Sequence, residues 1–204
     1  MSESSATFYF DLASPLAYLV AERIGGRLPE AEWEPVLASE LSGRRGARQR
    51  DGELADRPRG AGLMAAEPDA ARIEKLAEGL GLMAVRWPDD FPFDSGQAML
   101  MATYAKSVGR TVAFGQAAFR QAFAAGRSLA AADNLVIAAA ACELHPKAVL
   151  KGAALGSVKT QLSDATRAAA AAGVTAVPTI KIGGHMLAGE RALEFVAEDT
   201  AVPA

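Results

Sequence analysis

The sequence is poor in thiols and imidazoles, the side chains behind many nucleophilic and metal centres. Its 204 residues include one cysteine and two histidines. A single thiol, Cys142, makes no internal disulfide and fits a reducing compartment, so a cytoplasmic location is expected. With so few soft ligands, no metal site is expected. Basic charge is not in excess either. Lys and Arg total 21 against 24 Asp and Glu, a net charge of −3, which gives no electrostatic footprint for nucleic acid. No uninterrupted apolar run reaches the roughly 18 residues of a membrane span, so no membrane partner is expected. The opening Met1-Ser2-Glu3-Ser4-Ser5 lacks the basic and apolar regions of a signal peptide. What is present is ordinary for a soluble folded chain, half hydrophobic and 22% charged. The length suits one medium domain or one domain with a large insertion.

The stretch from Gly173 to Leu187 organises the rest. Gly173 closes an alanine-rich helical run, as a glycine beyond a helix C-terminus does. A β-branched run follows, then Gly183-Gly184, a two-residue link typical of a hairpin. Pro178 heads the first strand, where a missing N–H is tolerated. About 5–6% of X-Pro bonds in folded proteins are cis, too few for residues alone to decide the Val177–Pro178 bond.

Taken in order, Thr7 to Leu12 reads as a buried strand. Ser14 is a preferred N-cap and Pro15 a preferred first helical residue. The helix that follows carries Leu16, Leu19, Val20 and Ile24 at helical spacing and should end at Gly25-Gly26. Trp33 to Leu37 is a second strand. Residues 42–60 alternate arginines, glycines and acids without periodicity, either a solvated connection or a lid whose arginines meet a substrate carboxylate. From 67 to 172 the pattern is helical: 70–79, 95–109, 112–126 with Phe119 and Phe123 paired one turn apart, 133–144 capped by Asp133, and 157–173. Trp87 to Phe93 is extended, because a residue before proline leaves the α region. A terminal helix covers 190–199. The expected fold is α/β: β-α-β and a hairpin sharing one sheet, with a helical lobe inserted between them.

Two motifs carry the chemistry, Phe8-Tyr9-Phe10-Asp11 with Ser14-Pro15 and Tyr18-Leu19, and Val177-Pro178-Thr179 before the hairpin. Between them lie Phe91-Pro92 with Ser95, Tyr104-Ala105, Phe119, Phe123, Gly126-Arg127, Val158-Lys159 and Leu162, then Gly173-Val174, and Gly189 follows the second. Over nearly its whole length the chain resembles the DsbA-like thioredoxin-fold group that contains 2-hydroxychromene-2-carboxylate isomerases and kappa-class glutathione transferases. The resemblance implies a thioredoxin-like lobe from residues 1–41 and 157–204, and a loop plus all-helical insertion over 42–156. It also implies a cis Val177–Pro178 bond close to Ser14. In thioredoxin-like oxidoreductases the first turn carries Cys-Pro-x-Cys at a helix start, where the dipole steadies a thiolate. Here those positions are Ser14 and Ala17, so disulfide exchange by that route is excluded.

Ser14 is then either simply an N-cap or a hydroxyl that contacts the sulfur of a bound thiol. The resemblance implies the second role, with the Val177 backbone pairing with glutathione. It implies an isomerase or transferase acting on a small aromatic substrate; in the isomerases a thiolate adds, the ring opens, a bond rotates, and elimination regenerates glutathione. The family's Gly-x-Asp-Arg-Leu, which holds the γ-glutamyl end, corresponds here to Gly189-Glu190-Arg191-Ala192-Leu193. An ungapped match sets Arg191 in the aspartate's place, and a one-residue gap lets Glu190 and Arg191 stand for Asp-Arg. The cofactor is therefore glutathione or another low-molecular-weight thiol, and a homodimer is left open. The rival reading is a redox-inactive thioredoxin-like module that binds a peptide or partner beside Pro178. Among the remaining candidates, Cys142 reads as an inert core thiol, His185 as structural or exposed, and Lys159 as solvated. Asp11 reads as a buried polar anchor, and Tyr18 and Trp87 as core.

Overall fold

The computed structural model describes residues 6–41 and 69–198. Strand β1, Thr7–Phe10, alternates half-buried and buried residues, with Phe8 and Phe10 fully inside. Both rings pack on Trp33 of β2, Glu32–Pro35, at centroid separations of 5.0 and 5.6 Å. Each such side chain withdrawn from water stabilises the fold by about 1.5–3 kcal/mol. β1 and β2 run parallel, with Phe8 opposite Trp33. The hairpin strands β3, Thr179–Ile182, and β4, His185–Ala188, complete a sheet of order β2-β1-β3-β4, with β3 antiparallel to both neighbours. A parallel β-α-β unit and a hairpin thus share one sheet, the expected α/β thioredoxin-like arrangement.

Helix α1, Pro15–Arg27, starts where the Ser-Pro signal places it but runs through Gly25-Gly26. Neither glycine adopts a positive φ. A helical glycine costs about 1 kcal/mol, and the buried face from Leu16 to Ile24 carries the helix past both. It closes at Leu28, whose N–H donates to the Ile24 carbonyl at 2.7 Å.

The helical block comprises, among the described residues, α2 Ala70–Gly79, α3 Gly96–Ser107, α4 Thr111–Phe119, α5 Ala132–Ala141, α6 Pro146–Ala153 and α7 Gly156–Ala171. The helix expected over 112–126 changes winding at Arg120–Ala124, a π-helical turn. Phe119 and Phe123 both face Tyr18 of α1, at 6.3 and 5.7 Å. Asp133 lies in the first turn of α5 rather than at its cap, which is Ala131. A carboxylate is also favourable there, beside the positive helix end. α5 stops at Ala141, not Leu144, because the chain turns at Glu143 with φ 62°. Pro146 then opens α6, capped by His145.

Close packing binds the block to the sheet. A Cβ at Gly115 of α4 would lie 3.0 Å from Trp33 Cζ3, and one at Gly152 of α6 would lie 2.1 Å from Tyr104 Cδ2 of α3. Lys106 of α3 pairs with Glu32, at 2.8 Å, and with Glu34 on β2. Helix α8, Glu190–Ala197, follows the hairpin and packs on α1. No helix among the described residues is long and apolar enough to cross a membrane.

Candidate functional site

The loop between β1 and α1 is folded inward on itself. The Leu12 N–H donates to Met99 Sδ at 3.2 Å, the Ala13 N–H to Asp11 Oδ1 at 3.0 Å, and the Ser14 N–H to the Asp11 carbonyl at 3.0 Å. This sets Ser14, with φ −88° and ψ 111°, as the N-cap of α1, its Oγ accepting the Ala17 N–H at 3.0 Å. Ser14 therefore stands at a positive helix end, where an anion is stabilised. It is also 0% exposed, so the structure is closed over the hydroxyl.

Antiparallel pairing brings the second motif to the same end of the sheet. Tyr9 lies opposite Thr179, and one further step of that register brings Phe10 alongside Pro178. The Val177–Pro178 peptide is cis, as is Phe91–Pro92. Val177 is 3% exposed, and among the described residues its peptide N–H and carbonyl make no hydrogen bond. Buried backbone groups are rarely left in that state. The Gly189 N–H donates to the Pro178 carbonyl at 2.9 Å, which ties the start of α8 to this loop. Gly189 has φ 63° and ψ −136°, a conformation only glycine adopts readily.

The two residues after Gly189 are placed differently. Glu190 forms a fork with Arg72 of α2, Nε to Oε1 at 3.2 Å and Nη2 to Oε2 at 2.6 Å. That hydrogen bond holds the Glu190 carboxyl below its usual range and the Arg72 guanidinium above its own. The pair lines a cavity of about 250 Å³ between α2 and α8, with Leu76, Leu80, Leu193 and Glu194 among its walls. Arg191 is exposed on the same helix. A larger open cavity, about 790 Å³, lies along α2, bounded among the described residues by Glu74, Glu78, Leu82 and Val85. Ser14 is not among the described lining residues of either cavity.

Asp11 is 2% exposed and accepts the Ala13 and Ala38 N–H groups, both at 3.0 Å, with the Ser95 side chain beside it. Burial pushes its carboxyl above the ordinary value; the two backbone hydrogen bonds and Ser95 oppose this and Asp94 adds to it. Cys142 is buried, its Sγ directed at the Ala138 and Ala139 carbonyls at 3.4 and 3.2 Å, and burial raises its pKa. His185 and Lys159 are exposed. Tyr18 is core, whereas Trp87 is only half-buried and donates to Glu74 Oε1 at 2.7 Å. From Trp87 a run of rings passes through Phe91 and Phe123 to Tyr18, with centroids 5.0 to 6.0 Å apart. The arginine-rich stretch 42–60 lies outside the described residues. The Arg72–Glu190 fork and the approach of Ser95 to Asp11 were not read from sequence; the partners are 118 and 84 residues apart, and neither pair belongs to a local pattern.

Comparison with known proteins places the chain in a family. The profile of the DSBA-like thioredoxin domain matches residues 48–201. A 2-hydroxychromene-2-carboxylate isomerase structure superposes with TM-score 0.75 at 16% identity, over 94% of this chain and 91% of that one. A probable DsbA oxidoreductase from Streptomyces coelicolor gives 0.65 at 18%, over 95% and 87%. The cytosolic disulfide reductase DsbM from Pseudomonas aeruginosa, solved with GSH, gives 0.56 at 16%, over 89% and 87%. Curated proteins contribute no match.

Proposed function

This chain belongs to the DsbA-like thioredoxin-domain family, and from that premise we propose that it is a thiol-dependent isomerase or transferase of a small aromatic substrate. A 2-hydroxychromene-2-carboxylate is the substrate type, and glutathione or another low-molecular-weight thiol the cofactor. The observation that carries the reading is the buried Val177 peptide, whose N–H and carbonyl lack partners among the described residues beside Pro178. An extended peptide-like thiol satisfies both groups at once, as a strand added to an open edge does. The thiol, when bound, supplies the nucleophilic sulfur.

In this reading each residue has a separate role. Ser14 donates its hydroxyl to the sulfur at the positive end of α1. Val177 and Pro178 align the thiol's backbone. Gly189, Glu190 and Arg191 hold its far end, where an amino-acid terminus can enter the Arg72–Glu190 fork, ammonium to Glu190 and carboxylate to Arg72. The lobe of 1–41 and 157–204 supplies all of these except Arg72. The 42–156 lobe supplies Arg72 and the half-buried Trp87, against which an aromatic substrate can stack. Because Ser14 is fully buried, thiol binding requires the site to open.

That burial also favours the second reading, a redox-inactive binding module in which Ser14 is only an N-cap. Calorimetric titration with glutathione, cysteine and S-methylglutathione, alongside turnover of an electron-poor aromatic, separates the two. A free thiol bound below about millimolar, more tightly than its S-methyl form, with turnover that needs it, supports the enzyme. If no thiol binds in that range and nothing turns over, the binding module is the better account.

A further inference from the structure

The three amides of the β1–α1 loop, those of Leu12, Ala13 and Ser14, are all consumed inside the protein, two of them by Asp11. The Asp11 carboxylate does more than close this turn. Its Oδ1 takes the Ala13 N–H, its Oδ2 takes the Ala38 N–H beyond β2, and the Ser95 hydroxyl reaches it from the N-cap of α3. One side chain therefore joins the Ser14 loop, the exit of β2 and the first helix of the Phe91–Ser107 region. Asp94, the only other charge facing it among the described residues, is of like sign and offers no ion pair. A buried carboxylate with no counter-ion among the described residues is a costly way to fill a core position. An apolar residue would fill it at less cost but could not fix a loop from three directions.

We propose that Asp11 is the positioning residue for Ser14, holding the β1–α1 loop so that the Ser14 hydroxyl meets the sulfur of a bound thiol. The assignment rests on the thiol-binding reading above. Asp11 touches neither thiol nor substrate and acts only through Ser14. In Asp11→Asn, one carboxylate oxygen becomes an N–H donor facing backbone N–H groups. The loop loses an acceptor, and Ser14 loses its fixed direction.

The readout is the pKa of bound glutathione, followed by thiolate absorbance against pH in the full-length protein. Loss of positioning raises that pKa, by about one unit if the Ser14 contact is lost outright. Removal of a negative charge by itself lowers it, and a purely structural Asp11 leaves it unmoved in the folded variant. A rise in Asp11→Asn that disappears in the Ser14→Ala background supports the proposal. A fall, no shift, or a rise that adds fully to that of Ser14→Ala overturns it. If Ser14→Ala alone leaves the thiol pKa unchanged, the thiol-binding reading fails instead, so the two failures are distinguishable. Should Asp11→Asn not fold, Ser95→Ala removes only the donor from α3. A rise in the bound-thiol pKa then supports the assignment, and an unchanged or lowered value overturns it.

Discussion

Ser14→Ala removes two interactions at once, and a second substitution separates them. The first is the cap: Ser14 Oγ accepts the Ala17 N–H at 3.0 Å in a site with no solvent exposure. Exchanging such a cap for alanine costs about 1 kcal/mol, whereas glycine costs only a few tenths. Glycine also leaves room for a water to reach Ala17. The second is the hydroxyl's bond to a thiolate, worth roughly 1.5–3 kcal/mol. That corresponds to about one to two units of bound-thiol pKa, at about 1.4 kcal/mol per unit. Ser14→Ala should therefore melt earlier than Ser14→Gly, while both raise the bound-thiol pKa equally. Turnover should fall about ten- to hundredfold in both. Denaturant melts, thiolate titration and turnover on the same preparations test this. If activity follows the melting order, with glycine nearly normal, Ser14 acts as a cap alone and the reasoning fails.

Three further outcomes follow from the geometry. Gly152→Ala sets a methyl 2.1 Å from the Tyr104 ring; overpacking of about 1–3 kcal/mol should outweigh the gain in helix propensity of about 1 kcal/mol. Gly115→Ala, at 3.0 Å from Trp33, should cost less, and equal denaturation midpoints would contradict the packing described. Glu190→Gln should weaken glutathione about tenfold yet barely move the melt, because its fork with Arg72 is solvent-exposed; a large loss of stability with unchanged affinity would reverse that assignment. The raised pKa of Asp11 means that its ionisation costs more in the folded state than in the unfolded chain. Its contribution is thus complete below the ordinary aspartate range and lost as pH rises through the folded value, and Asp11→Asn should flatten that part of the stability–pH curve.

Local signals carried most of the fold. Ser14-Pro15 marks the start of α1, and Gly183-Gly184 joins β3 to β4. Glycine was the least dependable sign. Gly25 and Gly26 sit inside α1, because glycine only permits a stop and the buried face there continues to Ile24. The π-helical turn at Arg120–Ala124 has no sequence signature at all. Phe119 and Phe123 both meet Tyr18 across it.

The candidate site divides along the same line. Ser14 and Pro178 are legible from residue type, as a helix cap and a proline at the head of a strand, and Val177 and Gly189 through the family resemblance. Arg72 and Ser95 are not, since their side chains matter only after the helical block has folded back on the sheet. That difference bears on function. The legible residues alone describe a thioredoxin-like cleft from which both cysteines have been removed, which is as consistent with a binding module as with an enzyme. The long-range partners alter the balance. In the proposed reading Arg72 and Glu190 together receive a zwitterionic terminus, and Asp11 links Ala38 and Ser95 to the Ser14 loop. A module that only holds a peptide beside Pro178 needs neither a steadied sulfur nor a terminus receptor, so the joint sensitivity of thiol binding to Ser14 and Glu190 is what an enzyme of this fold has to show.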